Sequence, residues 1–133
     1  MFKNILIVIG FLIFSTLLGC STINKSTHTY EQKAGEYTLK FILKNPPTSG
    51  ENSALFILRN ASGNIIDNAF MKIEYSTPAM PDRPPMNFHT QAKPTESGYN
   101  ALLDFPMSGS WEVSVLATLK DKDIKSRFTI DVR

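Results

Sequence analysis

Cysteine occurs once in this chain, at Cys20, and histidine only twice, at His28 and His89. One thiol cannot close an intrachain disulfide, so a hydrophobic core must hold any fold. About a hundred residues suffice for that. Two histidines cannot build a His/Cys metal site alone, and neither a nucleophile motif nor a phosphate-binding loop occurs. Acidic residues are scattered through turns and polar faces without a pair suited to acid–base chemistry. No catalytic residue is expected, and the protein is not expected to be an enzyme. No basic run of five or more residues occurs, and the formal net charge is +2, or +1 without Lys3. Nucleic acid is therefore not an expected partner. Convincing helical periodicity is also missing after Cys20.

What is present begins with a charge-free apolar run, Ile5 to Leu18, preceded by Lys3. It is shorter than the roughly 20 residues a membrane-spanning helix needs, and it has the layout of a secretory signal. Leu17-Leu18-Gly19-Cys20 reads as a lipobox, with an aliphatic residue at −3 and a small one at −1. Residues 1–19 are expected to be a cleaved signal peptide and Cys20 the lipidation site, carrying a diacylglyceryl thioether and a further acyl chain such as palmitate. Each acyl CH₂ buried in a bilayer contributes about 0.8 kcal/mol to attachment. The competing reading is an uncleaved membrane anchor or a chance cysteine. The protein is expected to be lipid-anchored in the cell envelope. Serine at position 21 follows the outer-membrane sorting choice of Gram-negative bacteria, which in such a cell implies the outer membrane, facing the periplasm. Residues 20–35 are polar and aperiodic and read as a flexible tether that includes His28; residues 36–133 read as the folded domain.

Within that domain the pattern is repeatedly period two. Tyr37, Leu39, Phe41 and Leu43 alternate with polar neighbours, and Ser53 to Arg59 forms a nearly continuous apolar run. Asn60-Ala61-Ser62-Gly63-Asn64 reads as a turn rather than a glycosylation site. Met71, Ile73 and Tyr75 share a face, and a short strand is expected at His89 to Ala92. Tyr99 to Phe105, Trp111 to Leu119 and Ile124 to Val132 alternate again. Every glycine after Cys20 falls between these runs. About seven short strands at such spacing predict an all-β, immunoglobulin-like β-sandwich without the cysteine pair of antibody domains. Trp111 is expected to anchor the core.

The unusual segment is Thr77 to His89, which holds Pro78, Pro81, Pro84 and Pro85 together with Met80 and Met86. Four prolines stiffen it and keep it out of regular sheet. Thioether sulfur is soft, and with imidazole it suits Cu(I) better than zinc or magnesium. Met80, Met86 and His89, with Met107 as a fourth donor, are the candidate metal ligands. Alternatively the methionines fold back as adaptable fillers capping the core. Pro81, Arg83, Pro84 and Pro85 are the candidate partner-binding residues, in a scaffolding module whose exposed sheet edge accepts an envelope protein.

The order Gly50-x-Asn52, Gly63, Ala69, a Met-Pro loop, Gly98-Tyr99-x-Ala101 and Pro106-Met107-Ser108-Gly109-x-Trp111-Glu112-Val113 resembles the YtkA-like/FixH-like domain family over roughly residues 35–133. The resemblance implies an immunoglobulin-like extracytoplasmic domain associated with copper handling, heavy-metal efflux or oxidase assembly. It also implies a Met-Pro-x-Met-x-Met type loop followed by a histidine. Met80-Pro81, Met86 and His89 match that outline, with Asp82-Arg83-Pro84-Pro85 standing between the methionines. The partner implied is an efflux or oxidase component.

Overall fold

The computed structural model describes residues 26–133; the expected signal peptide, Cys20 and the first tether residues lie outside that part. Eight strands follow one another: β1 (His28–Ala34), β2 (Tyr37–Leu43), β3 (Gly50–Arg59), β4 (Phe70–Ser76), β5 (Asn87–Thr95), β6 (Gly98–Phe105), β7 (Gly109–Leu119) and β8 (Lys122–Val132). There is no helix among the described residues. All pairings are antiparallel, in the order β1-β2-β3-β6-β5-β4-β7-β8. The all-β sandwich expected from the alternation is what forms, with eight strands rather than about seven.

Strand β5 belongs to both layers. Its first part, through Ala92, pairs with β4, and Lys93 to Thr95 pair with β6. The other seam is formed by β1 and β8, where Arg127 N–H donates to Gln32 Oε1 at 2.8 Å. The sheet edges expected to be free for a partner strand are thus turned toward each other, and the sandwich is nearly closed.

The extra strand is β1, inside the stretch read as tether. Its sequence is polar, but Tyr30 stacks on Phe41 at 5.4 Å and meets Phe128 edge-on at 6.5 Å. Tyr30 and Ala34 pack against the core while Glu31 and Lys33 remain exposed. Two apolar contacts and seven backbone partners on β2 outweigh the weak strand propensity of the rest.

Period-two burial fills the interior. Phe41 and Phe56 stack at 4.8 Å; Met71, Ile73, Val113 and Leu103 are fully enclosed. The Asn60 turn forms as expected, with Asn60 Oδ1 accepting from the backbone N–H groups of Ser62 and Asn64 at 3.1 and 3.0 Å, the Asx-turn chemistry that favours asparagine there.

Tyr99 ties the long β3–β4 connection to the core. Its hydroxyl donates to Ile66 O and accepts from Ala69 N–H, both at 2.9 Å. An ordinary phenol keeps its proton at neutral pH, and burial pushes this one further in the same direction. Tyr99→Phe is expected to cost about 1–3 kcal/mol, the price of stranding two backbone groups. Urea unfolding checks this: an unchanged midpoint would show that water replaces the hydroxyl.

Candidate functional site

The β4–β5 connection continues the hairpin rather than forming an irregular loop. Beyond the last rung, Ser76 with Asn87, Thr77 N–H donates to Met86 O at 3.0 Å and Met86 N–H donates to Thr77 Oγ1 at 3.0 Å. Farther out, Met80 and Arg83 form an isolated bridge, with backbone bonds of 3.4 and 3.3 Å, around the turn residues Pro81 and Asp82. The intervening Pro78, Pro84 and Pro85 carry no N–H, so rungs are lost while the register is kept. The five residues separating Met80 from Met86 are therefore a tight turn, Pro81-Asp82, and its return arm.

Met107 comes from the β6–β7 connection. Its carbonyl accepts the indole N–H of Trp111 at 3.1 Å, which fixes the turn against the core. Trp111 is wholly buried within an aromatic cluster, 5.2 Å from Phe105 and 6.1 Å from both Tyr75 and Phe88. The rigid cluster thus holds both connections, because Tyr75 and Phe88 lie two residues from Thr77 and Met86.

Between the two connections lies a cleft of about 330 Å³, lined by Thr77, Pro78, Met80, Arg83, Pro84, Met86, Pro106 and Met107. Three of the four proposed ligands are brought together. Met80 is 42% exposed, whereas Met86 and Met107 are half-buried and rest on the core. Two of the methionines thus support the core's end, and all three line the cleft.

His89 does not join them. Strand β5 begins at Asn87, two residues before the strand expected from sequence. Alternation then sends Phe88 inward to stack on Tyr75 at 5.5 Å and leaves His89 exposed, opposite Glu74. Glu74 is held below the usual carboxylate range mainly by Lys72, hydrogen-bonded at 2.8 Å, with His89 adding a smaller pull. Among the described residues, no group of three or more His, Cys, Asp or Glu is placed to hold a metal ion.

Of the expected partner-binding residues, Pro81, Arg83, Pro84 and Pro85 are all exposed around the hairpin tip, and Arg83 and Pro84 also line the cleft. Thr77 escaped sequence reasoning. It is 7% exposed and clamps Met86, and its signal was one more step of the Met71, Ile73, Tyr75 alternation. The cleft's donor set consists of neutral, soft thioethers, with no carboxylate, thiolate or imidazole in its lining. It fits a soft monovalent cation and not a hard divalent one.

No curated protein matches the chain, and no solved structure does. A family model described as YtkA-like matches residues 31–116, starting inside β1 and running through most of β7. It takes in β2 to β6, the proline-rich hairpin and Met107. With well over half of the sequence covered, the chain belongs to the YtkA-like family.

Proposed function

We propose that this protein is a lipid-anchored extracytoplasmic accessory protein whose cleft takes up Cu(I) as cargo and passes it to or from an envelope partner. The observation that carries the reading is the convergence of Met80, Met86 and Met107 on one cleft. Each thioether binds without losing a proton, and the half-buried pair gives the cation a partly desolvated seat. Arg83 lines the same cleft. A guanidinium beside a cation weakens retention, which suits transient carriage better than storage. Lys3, the apolar run and the lipobox at Cys20 support the anchor.

Competition of the purified protein against a chromophoric Cu(I) chelator tests the cargo. The triple variant Met80→Leu/Met86→Leu/Met107→Leu keeps the apolar volume and is expected to lose measurable Cu(I) binding, while His89→Ala binds as the wild type does. Affinity is also expected to stay level between about pH 7 and pH 5, because a thioether site has no proton to compete with, unlike one with an imidazole ligand. Binding retained by the triple variant rules out the site.

A second reading is favoured by the stiff hairpin tip. Exposed Pro81, Arg83, Pro84 and Pro85 form a preorganised surface for an efflux or respiratory component, without metal. Association with such a component that is indifferent to copper and to the methionine variants would select it.

A further inference from the structure

The strand directions place the entry of the chain and the methionine cleft at the same end of the sandwich. Strands β4 and β6 run toward the cleft, ending at Ser76 and Phe105, and β5 and β7 run away from it. Strand β8 is antiparallel to β7, so it ends at Val132, paired with Gly109 beside the Met107 turn. Strand β1 lies along β8, with Gln32 bonded to the backbone of Arg127 and Tyr30 feeling the charge of Asp131. It therefore runs in the opposite sense to β8, and His28 enters at the cleft end.

Residues 21–27 separate Cys20 from His28, a contour of at most about 28 Å. Strand β7, with 11 residues, makes the sandwich itself about 36 Å long. We infer that the methionine end is the membrane-proximal face of the domain. The cleft then exchanges its cargo with a membrane-embedded protein presenting soft donors close to the bilayer surface. This rests on the reading of Cys20 as lipidated. The lipid surface itself is a poor occupant, because Lys44, Arg83 and Arg133 at that end are outnumbered by Glu51, Asp82, Asp104 and Asp131. Such a face gains little from anionic headgroups.

With Cys20 acylated, an introduced cysteine is the one free thiol for a fluorophore. Asp82→Cys marks the cleft tip and Asp121→Cys the β7–β8 turn at the far end. The full-length lipidated protein is reconstituted in vesicles bearing an acceptor dye on their headgroups. Energy transfer from position 82 is expected to exceed that from position 121 by about twofold or more, given the ~36 Å between the ends. Equal transfer, or stronger transfer from position 121, in a protein that floats with the vesicles overturns the orientation alone. Failure of the protein to float with them overturns the anchor and the orientation together.

Discussion

Trp111→Ala is expected to destabilise the domain by about 3–5 kcal/mol, the usual range for emptying a large aromatic site in a core. The indole is wholly buried, touches Tyr75, Phe88 and Phe105, and spends its N–H on the Met107 carbonyl. Truncation opens a cavity and strands that carbonyl at once. Domains of this size are stable by only about 5–15 kcal/mol, so a large share of the total is at stake. Denaturant unfolding gives the number. Trp111→Phe separates the two effects, because it fills most of the cavity but cannot donate to Met107. It should recover much of the stability while leaving the Met107 turn loose, and Cu(I) competition on that variant should report a weakened cleft in a folded protein. A loss below about 1 kcal/mol for Trp111→Ala would mean that the aromatic neighbours collapse into the space.

Gly98→Ala is expected to be comparably damaging for a different reason. Gly98 has φ of +146° and opens β6. A Cβ there would stand 2.4 Å from the backbone oxygen of Phe56 and 3.3 Å from Ile57 Cγ1. The obstructing atom is backbone, on a strand whose Phe56 pairs with Tyr99, so relief means breaking rungs between β3 and β6. Dihedral strain and overpacking each cost about 1–3 kcal/mol, which gives a loss of about 2–6 kcal/mol by thermal or urea unfolding. Gly35→Ala is the matched control. Gly35 also has positive φ, +64°, but nothing lies within 4 Å of its would-be Cβ. It should lose about 1–2 kcal/mol, the left-handed penalty alone. Equal losses at the two positions would show that the clash at Gly98 relaxes without consequence.

The strands that alternate strictly were legible because each buries one face: Tyr37 to Leu43, Tyr99 to Phe105, Trp111 to Leu119 and Ile124 to Val132 all lie where the pattern puts them. Strand β1 was not legible. Its strand character comes from two neighbours, β2 along its ladder and β8 across the seam, and neither is encoded in its own polar residues. The proline-rich segment misled in the opposite way. Prolines signalled an irregular loop, yet the missing donors only delete rungs, and the turn at Pro81-Asp82 keeps the two arms opposed. The clustering of Met80, Met86 and Met107 was legible as composition and as a set of candidate donors. The departure of His89 was not, because it depends on the hairpin register that pairs Phe88 with Tyr75; His89 then stands an odd number of positions from inward-facing Phe88 and Ala92 and lies on the other face. Cys20 lies outside the described residues and stands on its sequence motif.

Strand β5, shared by both layers, makes the two sides of the sandwich unequal in how they come apart. On its side the layers are joined by one continuous backbone, like the spine of a book. At the other side β1 and β8 meet largely through side chains, with the Gln32–Arg127 bond across the gap. Transient opening starts where the fewest backbone bonds must break, so the pages part at the β1–β8 edge. The hairpin bearing Met80 and Met86 grows from the spine. The methionine cleft can therefore stay assembled while the opposite edge breathes.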